Sequence, residues 1–191
     1  MRRMSTSRHP GSTDVYIALL RGINVGGKNK LPMRDLAEIF SEAACDNART
    51  YIQSGNVVFH AAPATAERVS AVVSRALGDR FGIMVPIVLR TAAELAEAAA
   101  ANPFLKSVTD TEALHVAFLA DRPDRRNVAS LDSARSPGDS FVVRGRDIYL
   151  HLPNGVARTK LTNAYFDSTL ATTSTIRNWR TVQVLLEMTK A

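Results

Sequence analysis

Residues 15–20, VYIALL, are apolar at every position. The run is too short for a buried helix and too uniform for a half-exposed strand. A strand with one wet face alternates, whereas one that does not alternate must be covered on both sides. Residues 114–120, LHVAFLA, repeat the pattern later in the chain. Two such strands predict two sheets, each needing a layer on either face.

Around the first strand the elements are short and punctuated. Residues 33–43 place Met33, Leu36, Ile39, Phe40 and Ala43 at helical spacing after Pro32, which suits a first helical turn. Residues 49–60 read as a hairpin over Ser54-Gly55-Asn56. Thr65 is placed to cap a second helix carrying Val69, Val72, Val73, Ala76, Leu77 and Phe81 on one face. Residues 84–90 give a last strand, and Pro86 confines it to an edge or a bulge. Strand, helix, strand, strand, helix, strand is the order of a ferredoxin-like unit.

The second half supplies the missing cover. Thr91 and Glu94 form a capping box that opens an alanine-rich helix, stopped near Asn102-Pro103. After the strand at 114–120 come a weak helix over 126–134 and a hairpin of 140–144 with 147–152 over Gly145. Two helices are expected at the end, 160–170 and 175–188, the second burying Ile176, Trp179, Val182, Leu185 and Leu186. The fold class is therefore α+β: two ferredoxin-like (βαββαβ-type) subdomains packed together, with two C-terminal helices. The domains are a disordered tail over 1–13, a ferredoxin-like subdomain over 14–90 and a second α+β subdomain over 91–191.

Charge narrows the function classes. Of the net +6, half comes from Arg2, Arg3 and Arg8 in a tail without acidic residues, so the body is only weakly basic. A lone cysteine, Cys45, excludes an internal disulfide and fits a reducing cytoplasm, with a buried thiol at a helix end. No run is long and apolar enough for a membrane span, and the tail lacks the apolar region of a secretory signal. His9, His60, His115 and His151 show no metal spacing, and there is no nicotinamide or flavin signature. His115 reads as a satisfied core histidine.

Gly22 to Lys28 matches the first seven positions of a phosphate-binding loop, GxxxxGK, directly after a strand. Asn29 stands where Ser or Thr would ligate magnesium, and Leu31-Pro32 delays the helix, so this is not a nucleoside-triphosphate loop. In a looser form the same residues suit an anion: Arg21, Lys28 and Lys30 bring charge, Asn24 a polar side chain, and Gly26-Gly27 directed amides. Gln53 interrupts an apolar strand, where an amide needs partners. Lys160, Arg177 and Asn178 make a second polar constellation, able to pin a phosphate or carboxylate if the two halves bring it near the loop.

Three stretches, ALLRGINVGGKNKLPM (18–33), TYIQSGNVVF (50–59) and the pair TKLTNAYF (159–166) with TIRNWRTV (175–182), resemble the bacterial domain-of-unknown-function 1697 family. VPIVLRTAAEL, NPF, HVAFL and YLHLP add to the likeness, which extends over about residues 14–190. The resemblance implies a two-subdomain α+β fold of ferredoxin-like character. It transfers no activity, cofactor or residue role. Thr159 and Asp167 stand where that family often has serine and glutamate, which keeps a hydroxyl and a carboxylate at those positions.

The expected function is a cytosolic module binding a small anion, a nucleotide or phosphorylated metabolite, through Arg21, Asn24, Gly26, Gly27, Lys28, Gln53, Lys160, Arg177 and Asn178. One alternative is an enzyme on a phosphorylated or nucleotide substrate, with His151 or an aspartate as base. Another is a nucleic-acid binder, for which Tyr16 and Phe59 are the only aromatic candidates on the strands.

Overall fold

The computed structural model describes residues 13–190; the tail expected at 1–13 falls almost wholly outside the described residues. Strand β1 (Asp14–Leu20) is followed by α1 (Met33–Glu42), β2 (Asp46–Tyr51), β3 (Asn56–Ala61), α2 (Pro63–Phe81) and β4 (Ile87–Thr91). These strands form one antiparallel sheet in the order β2-β3-β1-β4. Helix α3 (Ala92–Ala100), opened by the Thr91–Glu94 capping box, leads out of it. The second half runs β5 (Leu114–Leu119), α4 (Arg125–Ala129), β6 (Ser140–Arg144), β7 (Asp147–His151), α5 (Asn163–Leu170), β8 (Ser174–Asn178) and α6 (Trp179–Met188). Its sheet order, β6-β7-β5-β8, is that of the first.

Each apolar strand is covered on both faces. Ala18 and Leu20 of β1 pack with Val57, Phe59, Leu36, Phe40 and Leu77 under α1 and α2. Ile17 and Leu19 face the other way, into a central core with Leu95 of α3, Val182 of α6, and Val116 and Phe118 of the second sheet. Ala117 and Leu119 of β5 then turn to Phe166 and Leu170 of α5. Each large aliphatic side chain so buried contributes on the order of 2 kcal/mol. The two halves clasp because neither sheet has a face it can leave wet.

The sheets correspond residue by residue. Leu19 of β1 lies opposite Asn56 and Val88; Phe118 of β5 lies opposite Asp147 and Thr175. Arg90 of β4, opposite Ile17, therefore matches Arg177 of β8, opposite Val116. One residue further on, Thr91 and Asn178 both cap the helix that enters the central core.

Several expected boundaries are corrected. Residues 175–188 are not one helix: 174–178 form the edge strand β8 and only 179–188 are helical. The β-branched Thr175 and Ile176 favour the strand. The helix starts where the Asn178 side chain accepts from the Thr181 amide at 2.8 Å. Helix α5 begins at Asn163 instead of 160, because Thr162 caps it by accepting from the Tyr165 amide. Helix α4 is shorter than 126–134, and α2 starts at Pro63, so Thr65 lies inside its first turn and caps nothing. Pro86 stands just before β4, and β4 lies at a sheet edge. Cys45 and Trp179 are buried. No helix among the described residues is long and apolar enough to cross a membrane.

Candidate functional site

The free edge of β8 opens on a cleft of about 490 Å³ between the two halves. Residues 175–178 form its floor; the exit of β1 from Leu20 to Ile23 and the turn at Ile52 and Ser54 form one wall. Leu152, Val156, Thr159 and residues 161–163 form the other. Arg21 and Arg177 line it, and among the described lining residues there is no carboxylate.

Arg177 is buried, only 8% exposed. Its Nε donates to Asn56 Oδ1 at 2.6 Å, Nη1 to Thr175 Oγ1 at 2.7 Å and the Ile176 carbonyl at 3.0 Å. Its Nη2 donates to the Leu20 carbonyl at 2.6 Å and the Ser54 carbonyl at 3.2 Å. All five donors of the guanidinium are engaged, yet every acceptor is neutral. Burial pushes this group down to about 10, which leaves it charged at neutral pH. The result is a satisfied but unneutralised cation.

Arg21 is closed on one side. Its Nη1 donates to Asp167 Oδ2 and to the Ser174 carbonyl, both at 2.7 Å. The other Asp167 oxygen accepts from the Ser174 amide and hydroxyl. Nε and Nη2 of Arg21 have no protein partner among the described residues, so a bidentate edge remains available for an anion.

Other polar groups around the cleft keep donors to spare. Thr181, 4% exposed, has a hydroxyl without a partner among the described residues. Thr175 accepts from Arg177 and keeps its own proton to donate. Ser174 gives both backbone groups to Asp167 and Arg21 and so faces outward from the sheet. Strand alternation then turns the Ile176 amide to the same free edge. The N-termini of α5 and α6, at Thr162 and Asn178, also border the cleft and add partial positive charge. His115 Nδ1 lies 3.3 Å from the Ala113 carbonyl, which can only accept, so Nδ1 carries the proton and Nε2 is an acceptor. Burial lowers the His115 pKa from 6.5, keeping the ring neutral.

A family model described as a protein of unknown function, DUF1697, matches residues 14–149. The chain belongs to this family. No curated protein matches it. A solved structure, the conserved bacterial protein SP0830 from Streptococcus pneumoniae, shares the fold with a TM-score of 0.74 at 21% identity. It covers 94% of this chain and 100% of its own. The DUF1697 match contains β1 and the 52–56 turn but ends before residues 152–181, which build the floor and far wall.

Of the DUF1697 chain's nine sequence-predicted site residues, Arg21, Arg177 and Asn178 line the cleft. Asn24 ties the loop together: its side chain donates to the Leu31 and Gln53 carbonyls and accepts from the Leu31 amide. Gly26 and Gly27 form an exposed hairpin tip at φ 58° and 76°, with Lys28 donating back to the Val25 carbonyl at 3.0 Å. The tip therefore folds back on itself rather than opening into a helix, and its glycines do not line the cleft. Gln53 is an exposed turn residue, not an interruption of a strand. Lys160 is exposed, its backbone anchored on Ser136 and Arg135. His151 packs against Phe104 and is not a cleft residue. Tyr16 and Phe59 stack at 5.7 Å inside the core and present no platform for bases.

Asn56 and Thr175 escaped the sequence reading as site residues. Asn56 is fully buried and accepts from Arg177 while donating to the Tyr51 carbonyl and Ser54 Oγ. It was visible only as part of an ordinary Ser-Gly-Asn turn.

Proposed function

We propose that the cleft binds a small anion, and that the protein is a ligand-binding module, with nucleotides and phosphorylated metabolites among the candidates. The observation that carries this reading is Arg177, a buried guanidinium whose five acceptors are all neutral, in a cleft bordered by a second arginine and no carboxylate. A buried charge without a counter-charge is costly, and a bound anion offsets that cost. The free Nε–Nη2 edge of Arg21 supports direct contact with the ligand, and the Thr181 hydroxyl adds a donor. Strand order with paired helices on one face supports reading each half as ferredoxin-like, and a single buried Cys45 supports a reducing compartment such as the cytoplasm.

The test is isothermal calorimetry with AMP, inorganic phosphate and simple carboxylates at fixed ionic strength, on the wild type and on Arg21→Ala. Saturable binding by at least one anion, weakened about tenfold or more in the variant, is expected. Absence of any saturable anion defeats the reading.

His115 favours one second reading. A neutral imidazole bordering the cleft, with Nε2 unprotonated, suits a general base in an enzyme acting on the same ligand class. Turnover lost in His115→Gln with binding retained would support it.

A further inference from the structure

The two halves carry the same edge-strand arginine and differ in what answers it. Arg90 of β4 donates from Nη2 to the Arg146 carbonyl at 2.8 Å and to Asp147 Oδ1 at 3.0 Å, both at the β6–β7 hairpin. Arg177 of β8 reaches the β2–β3 hairpin in the same manner, to the Ser54 carbonyl and Asn56 Oδ1. Asn56 and Asp147 hold the same register position, opposite Leu19 and Phe118. An amide therefore stands in one half where a carboxylate stands in the other.

Charge follows from that single difference. Near Arg90 the ions are paired: Arg90 with Asp147, and Arg146 with Glu94 at 2.8 Å. Near Arg177, Arg21 is paired with Asp167 at 2.7 Å, and Arg177 is left as one positive charge in excess. The cleft with unengaged donors lies at this uncompensated end.

We propose that the ligand supplies the negative charge that the Asn56 amide does not give Arg177: the cleft takes a monoanionic carboxylate on an apolar body. This rests on the anion-binding reading above and narrows it. A phosphate monoester carries about −1.5 to −2 charges at neutral pH, more than the one positive charge unanswered here. The excess would have to leave water beside Leu20, Ile23, Ile52, Leu152 and Val156. A single carboxylate matches both the count and the walls, with the free edge of Arg21 and the Thr181 hydroxyl as donors.

The experiment is calorimetry on the full chain with benzoate, hexanoate, inorganic phosphate, AMP and the neutral benzyl alcohol, at constant ionic strength so that bulk salt effects cancel. At least one carboxylate is expected to bind saturably and at least tenfold tighter than phosphate or AMP. Asn56→Asp, which recreates the Arg90–Asp147 arrangement, is expected to weaken that binding at least tenfold. Tighter binding of phosphate or AMP overturns the carboxylate assignment and leaves the anion reading intact; no saturable anion overturns both. Unchanged carboxylate affinity in a folded Asn56→Asp overturns the role of Asn56. Should that variant not fold, benzoate against benzyl alcohol on the wild type decides: equal affinity removes the charge from recognition.

Discussion

Arg21 and Asp167 are 146 positions apart in the chain and 2.7 Å apart in space, and between them they fix the start of β8. The pair is about a quarter exposed, so its Coulomb energy alone is small. What matters is Ser174, fully buried, whose amide depends on Asp167 and whose hydroxyl is shared between Asp167 and Asn163 Oδ1. Asp167→Ala strands the buried Ser174 amide, while the hydroxyl turns to Asn163, and is expected to cost about 2–3 kcal/mol, against about 1 kcal/mol for Arg21→Ala. Urea denaturation of both variants checks the ordering; equal losses would mean that the ion pair, and not the Ser174 donors, dominates.

Two glycines that look alike in sequence carry opposite weight. Gly55 has φ +73°, and a Cβ there would lie 2.8 Å from the Leu20 Cβ and 3.2 Å from its carbonyl, the same carbonyl that accepts from Arg177. Gly27 has φ +76° but no atom within 4 Å. Gly55→Ala must shift the cleft wall, with an expected loss above about 2 kcal/mol; Gly27→Ala pays only for its backbone, about 1 kcal/mol. Anion affinity should fall in the first and hold in the second. A phosphate-binding loop at residues 22–28 would give the reverse pattern.

Much of the architecture was legible because burial on both faces leaves a mark in single residues. Ile17 against Ala18, and Val116 against Ala117, are apolar in every register, and both strands proved to be covered twice. The last strand was hidden because 176, 179, 182 and 185–186 hold helical spacing across the junction, and the Asn178 cap is a single residue. The site was half legible. Arg21, Arg177 and Asn178 flank distinctive motifs and line one cleft. The glycine-lysine spacing alone says nothing about whether the chain opens into a helix or folds back on itself, as Val25 and Lys28 do. Asn56 gave no signal at all: its meaning depends on Asp147, ninety-one positions later, at a register only the paired sheets reveal.

His115 makes stability depend on pH in a predictable sense. Burial lowers its pKa below the ordinary 6.5, so the folded chain resists a proton that the unfolded chain accepts. Where the unfolded state binds more protons, stability rises with pH. The protein should therefore lose stability as pH falls below about 6.5, by up to about 1.4 kcal/mol per pH unit until the native group titrates. The same denaturation series on His115→Gln isolates this residue from other acid-sensitive groups. Parallel curves for the two proteins between pH 7.5 and 5.5 would contradict the assignment.

Arg90 and Arg177 should respond differently to loss of their register partner. Arg90, 1% exposed at its side chain, donates to the Leu89 carbonyl, the Arg146 carbonyl and Asp147, and its guanidinium lies 5.3 Å from the centre of the Phe118 ring. In Asp147→Asn it keeps only neutral acceptors and a ring face, too little to replace the counter-charge. Asp147→Asn is expected to cost about 3 kcal/mol, in the range for breaking a buried ion pair from one side. Arg177 has four acceptors besides Asn56, so it tolerates an amide at the equivalent place. If Asp147→Asn unfolds at the same urea midpoint as wild type, the carboxylate is not what holds Arg90 inside, and the contrast drawn between the two halves loses its energetic basis.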